Sequence, residues 1–166
     1  VPPARVELAA SQPADHAAAK SVSWDVASWS VSLTTLHHAA GDWKVYVQQY
    51  TSSGQYLKEG GRPVVCIFGI GLHDRAVATP SSSLALIKWL QAQNLYVIGS
   101  GPYYWREGGH DAAPGFDAVH AAFDAIMPWA VGGYKSAAEF ASKSAPVVKA
   151  DAKLTSGRGQ DYAPIA

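Results

Sequence analysis

The chain has 166 residues, of which 48% are hydrophobic and 16% are charged, and its formal net charge is zero. This length predicts a single domain with a packed core, and the composition excludes an intrinsically disordered chain. A neutral chain lacks the attraction that draws basic proteins to nucleic acid or anionic membranes, and no apolar run approaches the roughly 18 residues of a membrane-spanning helix. We therefore expect neither nucleic acid nor a membrane as a partner.

Residues 1–60 carry no clear structural pattern. Residues 1–20 are rich in Ala and Pro, and residues 44–50 alternate between apolar and polar types as a strand does. We therefore divide the chain into an N-terminal region of undefined structure, residues 1–60, and a second unit, residues 61–166.

Apolar runs typical of buried strands recur through residues 61–166. Predicted strands begin about 31 to 35 residues apart, at Val64, Leu95, Ile126 and Asp161. This spacing is typical of strand–helix units, which join parallel strands by right-handed crossovers. The lone cysteine, Cys66, lies within the first of these runs, so we expect a buried, inert thiol.

Helices are predicted between the strands. One runs from Pro80 to Gln93 with Thr79 as its N-cap, and the second covers residues 116–125. The third begins at Ser136 and is expected to break at Pro146, with Ser144 capping a second piece that runs towards Leu154. The sequence thus predicts an α/β fold of parallel βα repeats in the order βαβαβαβ.

Three loops follow the first three predicted strands, and they carry most of the residues suited to chemistry. Ligands of parallel α/β folds bind beyond the carboxyl ends of the strands, so we expect these loops to form one site. Their candidate residues are His73 and Asp74 in the first loop, Tyr104, Trp105, Arg106, Glu107, His110 and Asp111 in the second, and Trp129 in the third.

These residue types are suited to a sugar. Trp105 and Trp129 can stack on the apolar face of a sugar ring, and Arg or Asp side chains can hydrogen-bond its hydroxyl groups. A glycosidase also needs two carboxylates, about 5 Å or about 6.5–9.5 Å apart. We take Asp74 and Asp111 as the candidate catalytic pair.

Each candidate also has an ordinary structural explanation. Asp74 can pair with Arg75 or cap a helix, Asp111 can shape the turn before Pro114, and Glu107 can be a solvated loop charge. The two loop histidines can serve as hydrogen-bonded loop residues.

Other familiar sites are absent. The glycines at Gly69 and Gly71 lack the third glycine of a dinucleotide-binding fingerprint, and Ser100 lacks the spacing of a nucleophile elbow. Adjacent His37 and His38 would face opposite sides of a strand and could not share a metal. We predict no metal and no cofactor.

Three segments resemble one protein family: residues 61–75 (GRPVVCIFGIGLHDR), 101–106 (GPYYWR) and 123–132 (FDAIMPWAVG). Together they are similar to the glycoside hydrolase family 71/99-like proteins, often labelled xylosidase/arabinosidase-like, of fungi and bacteria. The resemblance covers roughly residues 55–165.

The resemblance implies a (β/α)8 barrel acting on glycans. The matched residues would then lie on the substrate side: His73, Asp74, Tyr104, Trp105, Arg106 and Trp129. The chain departs from the family because residues 1–60 show no clear opening barrel strands, and because the family's C-terminal acidic motif has no match before Ala166.

These departures predict about half of a TIM-type barrel. Exposed parallel strand edges favour pairing, so we expect a homo-oligomer or a second chain that completes the barrel. The resemblance implies an extracellular, carbohydrate-active and glycosidase-like protein that binds a glycan or small sugar, with the completeness of its catalytic pair open. A lectin-like binder and a defence or immunomodulatory protein are the alternatives.

Overall fold

The computed structural model describes residues 7–8, 22–25, 43–74 and 79–165. Its strands, in chain order, are β1 (Glu7–Leu8), β2 (Val22–Asp25), β3 (Lys58–Glu59), β4 (Arg62–Phe68), β5 (Tyr96–Gly101), β6 (Ala125–Pro128) and β7 (Asp161–Tyr162). Its α-helices are α1 (Pro80–Ala92), α2 (Asp117–His120), α3 (Ala137–Glu139) and α4 (Ala145–Arg158).

The described residues also include short π-helical and 3-10 helical turns. A π-helical turn, Phe140–Ser144, joins α3 directly to α4. Residues 43–47 and 48–50 are also helical, so the strand-like alternation of residues 44–50 was a wrong indication.

The strands form one sheet in the order β1-β2-β4-β5-β6-β7, and β3 pairs with β4 beside this path. β2, β4, β5, β6 and β7 run parallel to one another. In the register, Phe68 of β4 lies beside Ser100 of β5, which lies beside Met127 of β6. The predicted division at residues 60 and 61 falls in the turn between β3 and β4 and stays a prediction.

The prediction of regular parallel βα repeats, amounting to half of a (β/α)8 barrel, is wrong. The sheet is mixed, because β1 pairs antiparallel with β2 and β3 pairs antiparallel with β4. The strand–helix alternation is also irregular. The loop after β5 consumes residues 102–116 and leaves space for only one helical turn, α2, where the sequence predicted a helix over residues 116–125. Apolar runs and their spacing do not encode strand direction, so the sequence could not reveal these features.

The main core lies on the sheet face that α1 covers. Fully buried Ile87 and Leu90 of α1 pack against Val65 and Ile67 of β4 and Val97 of β5. Burial of each such side chain stabilises the fold by about 1.5–3 kcal/mol. A smaller cluster on the opposite face contains Val64, Tyr96, Ala125 and Ile98.

The N-terminus of α1 is the one that the sequence predicts. The Thr79 hydroxyl accepts the Ser82 amide, and the Ser82 hydroxyl accepts the Thr79 amide in return. This reciprocal pair satisfies amides that have no partner within the helix, and Pro80 occupies the first turn. The prediction of α1 with Thr79 as its cap is confirmed.

Gly99 of β5 leaves space for the ring of Phe123 to pack against the sheet. A Cβ atom at Gly99 would overlap the ring of Phe123, which is buried against the strand. We predict that Gly99→Ala destabilises the protein by about 1–3 kcal/mol, because the Phe123 ring must move out of a packed core. Denaturant unfolding measures this loss.

Gly157 provides the matched control. It lies within α4, and a Cβ there has no atom within 4 Å. Gly157→Ala should leave stability unchanged or raise it by up to about 1 kcal/mol, because alanine is the better helix former. Equal losses in the two variants would contradict the packing role of Gly99.

Candidate functional site

The three loops that follow β4, β5 and β6 meet at one edge of the sheet. These strands are parallel, so residues 69–74, 102–116 and 129–136 all leave the sheet at its carboxyl end. The first two loops are joined by backbone hydrogen bonds: the His73 amide donates to the Asp111 carbonyl at 2.7 Å, and the Ala113 amide donates to the Gly71 carbonyl at 2.8 Å. We call this surface the carboxyl-end rim.

Asp111 shapes the second loop. Its two carboxylate oxygens accept the backbone amides of Tyr103, at 2.6 Å, and Tyr104, at 3.0 Å. This is the turn-forming role that the sequence left open for Asp111. With both oxygens engaged by the loop itself, the carboxylate is poorly placed to transfer protons or attack a substrate.

The other loop acids of the rim, Asp74 and Glu107, are both exposed. Asp74 and its neighbour His73 are exposed, and Arg75 lies outside the described residues. Glu107 is 44% exposed and forms an ion pair with Arg106 at 3.1 Å. This loop charge contributes little to stability because solvent screens it.

Trp105 does not provide the open stacking surface that the sequence predicted. Its side chain is only 3% exposed, and its indole Nε1 donates a hydrogen bond to Asp151 Oδ2 at 3.1 Å. The loop folds back over α4, so Trp105 faces the helical layer. Trp105 is therefore a buried residue beneath the rim.

Asp151 is the functional candidate that the sequence did not reveal. It lies in α4, is 1% exposed, and accepts Nε of Arg106 at 2.8 Å and the hydroxyl of Tyr162 at 3.3 Å in addition to the Trp105 indole. Its carboxylate thus joins the second loop, α4 and β7. The surrounding Ala and Lys residues resemble a solvated helix face, so the sequence carries no signal for this burial.

The pKa shifts of this ion pair follow its asymmetric burial. Hydrogen bonding to Asp151 raises the pKa of the Arg106 guanidinium, which is partly exposed. Burial raises the pKa of Asp151, and the hydrogen bonds from Arg106 and Trp105 oppose this shift. Removal from water thus disfavours the charged form of the Asp151 carboxylate more than that of the Arg106 guanidinium.

His120 lies buried beneath the rim. It is 1% exposed, its ring packs against Trp105 and Phe116, and a Cβ at Gly71 would lie 2.7 Å from its Nε2 atom. Neither ring nitrogen forms a hydrogen bond of good geometry with the described residues. Burial lowers the pKa of His120 to about 4, which Asp117 opposes and Arg158 assists.

Trp129 is the exposed tryptophan among the candidate residues of the rim. Its side chain is 45% exposed, and its ring contacts Phe68 edge-on with the centroids 5.6 Å apart. The neighbouring Val131 is 55% exposed. Trp129 thus presents a supported indole to solvent.

A second aromatic group stands on the loop after β5. The ring of Tyr104 packs on His110 at 4.4 Å and edge-on to Tyr103 at 4.8 Å. Tyr104 is half-buried and His110 is exposed. These rings extend the aromatic character of the carboxyl-end rim beyond Trp129.

The burial of Trp105 generates a prediction. Trp105→Ala should destabilise the protein by about 3–5 kcal/mol, because it opens a cavity and removes a donor from the buried Asp151 carboxylate. Urea unfolding measures the loss. The exposed Trp129→Ala is the control and should cost far less, so equal losses would contradict the core role of Trp105.

The buried imidazole makes stability depend on pH. Because the folded protein lowers the pKa of His120, its contribution is complete above the ordinary pKa near 6.5 and is lost as the pH falls towards 4. We predict a loss on the order of 3 kcal/mol from this residue between pH 7 and pH 4. Urea unfolding across this pH range measures it.

The control for this prediction is a pair of variants. His120→Leu should lose less stability on acidification than the natural protein, whereas the exposed His73→Gln should follow the natural protein. A pH dependence identical in all three proteins would show that His120 does not carry it.

Searches of family models, curated proteins and solved structures find no match for the chain. Within residues 43–74 and 79–165 and the two short strands before them, no helix is long and apolar enough to cross a membrane. The same described part holds no group of three His, Cys, Asp or Glu side chains placed to bind a metal ion. The resemblance to the glycoside hydrolase family 71/99-like proteins stays a prediction.

Proposed function

We propose that this protein binds a glycan on the carboxyl-end rim and does not hydrolyse it. The observation that carries the proposal is the exposed indole of Trp129, which Phe68 supports from one side. A large aromatic ring that is open to solvent and held in place by a neighbouring ring can stack on the apolar face of a sugar.

Polar groups around the indole suit a hydroxylated ligand. Tyr104, His110 and His73 lie on the adjoining loops with at least part of their surface exposed. Their hydroxyl and imidazole groups both donate and accept hydrogen bonds, as sugar hydroxyls do. The zero net charge of the chain is consistent with a neutral ligand.

The contacts of the rim carboxylates support binding of a glycan rather than its hydrolysis. A glycosidase holds two carboxyl groups across one scissile bond. Asp111 is engaged by two backbone amides and Glu107 by Arg106, so both of these carboxylates already serve the structure of their own loop. We therefore favour a glycan-binding protein over a glycosidase.

A glycan array and calorimetric titration, run beside a panel of nitrophenyl glycosides, test the proposal. We expect binding without release of nitrophenol. Hydrolysis by the natural protein that is lost in the Asp74→Asn variant would show that the protein is a glycosidase. Absence of binding to any glycan would overturn the proposal. Extracellular location and self-association stay predictions.

Removal of the exposed indole should weaken glycan binding. We predict that Trp129→Ala lowers the affinity by about 1–3 kcal/mol, the range for exposed stacking aromatics, with little change in stability. Calorimetric titration measures the affinity. Tyr50→Ala removes another exposed aromatic, 48% exposed and outside the rim loops, and should leave the affinity unchanged. Equal affinities for the Trp129 variant and the natural protein would exclude the indole from the site.

A further inference from the structure

Ser100 is a buried hydroxyl at the carboxyl end of β5. Its side chain is 2% exposed, and its Oγ atom has no hydrogen-bond partner among the residues that the structure describes. In the parallel register Ser100 lies between Phe68 and Met127, so these three side chains share one face of the sheet. Ile67, the neighbour of Phe68, faces the α1 side, so Ser100 lies on the opposite face.

The aromatic pair of the rim lies over Ser100. Phe68 ends β4, and Trp129 directly follows β6, with β5 between these strands. Because the two rings contact each other at 5.6 Å, they must meet above β5, on the face that carries Ser100. The hydroxyl therefore lies beneath the indole to which we assign the stacking of a sugar.

An unpaired buried hydroxyl is unfavourable in the free protein. Transfer of a hydroxyl out of water without a new hydrogen bond costs free energy, and native proteins keep few such groups. Alanine at this position would avoid the cost. A ligand hydroxyl that reaches Oγ would instead satisfy the group.

We propose that Ser100 determines which sugar the rim accepts, by forming a hydrogen bond with one hydroxyl of a sugar ring that enters between Phe68 and Trp129. This inference rests on the proposed function. The indole of Trp129 is nearly half exposed, so it can turn outwards and keep its contact with the apolar face of the sugar. The hydroxyl of Ser100 can then donate to or accept from the sugar.

The experiment compares Ser100→Ala with Ser83→Ala. Ser83 is also 2% exposed, and its Oγ atom has no hydrogen-bond partner among the described residues, but it lies in α1, which covers the sheet face opposite Ser100. Melting temperatures of both variants are measured in the absence of sugar. Affinities are then measured for the methyl xyloside, glucoside, mannoside and galactoside, and for monodeoxy analogues of the one that binds best.

We expect both variants to melt at the same temperature as the natural protein or higher, because each loses an unsatisfied polar group. Ser100→Ala should bind the best methyl glycoside about three- to tenfold more weakly, the equivalent of one hydrogen bond, and Ser83→Ala should bind it normally. One monodeoxy analogue should bind the natural protein and Ser100→Ala equally.

The outcomes separate this proposal from the proposed function. Normal binding by the natural protein with unchanged affinity in Ser100→Ala would overturn the role of Ser100 alone. A lower melting temperature in Ser100→Ala but not in Ser83→Ala would also overturn it, because the hydroxyl would then have a partner in the free protein. Failure of the natural protein to bind any of the glycosides or the arrayed glycans would overturn both.

Discussion

The buried carboxylate of Asp151 joins three parts of the chain that lie far apart in sequence. It accepts hydrogen bonds from Trp105 and Arg106 of the second loop and from Tyr162 of β7, while its own backbone belongs to α4. Removal of one partner from a buried ion pair costs about 3–5 kcal/mol, because the remaining charge loses its compensation. The shape of the loop after β5 therefore depends on a helix that begins some forty residues later.

This arrangement separates structural from exposed groups on the carboxyl-end rim. The charged residues hold the loops: Asp111 binds the amides of its own loop, and Arg106 binds Asp151. The exposed surface includes the apolar side chains of Trp129 and Val131 beside polar residues such as His73 and His110. The engagement of Asp111 and Glu107 and the exposure of Trp129 are the basis of the proposal that the rim binds a glycan without cleaving it.

Unsatisfied polar groups concentrate at the same end of the molecule. Ser100, Tyr103 and His120 each have buried polar atoms without a partner in the described part of the chain, and all three lie at or beneath the rim. A protein selected for stability alone would lose such groups, because apolar replacements of similar shape are less costly. Under the proposed function, the Ser100 hydroxyl would be retained for ligand binding at the expense of stability.

Some features followed directly from local sequence. Thr79 and Pro80 determine the start of α1 through the capping of amides within one turn, and Gly159 ends α4 with a φ of 64° that favours glycine. The apolar run around Val65 and Ile67 indicated a buried strand, because continuous apolar sequence is stable only when both faces are covered. The aromatic residues after β5 and β6 led to the expectation that a ligand binds at this edge of the sheet.

The sequence by itself thus determined the main strands, the first helix and the edge that carries the candidate site, since these depend on contacts between near neighbours. Only the tertiary structure decided the mixed pairing of the sheet, the single-turn α2 and the exposure of each rim residue. Trp105 and Trp129 are the same residue type at the same edge, and one is 3% and the other 45% exposed. The difference arises from Asp151, whose carboxylate meets the Trp105 indole only after the chain has folded, because exposure depends on residues that are distant in sequence.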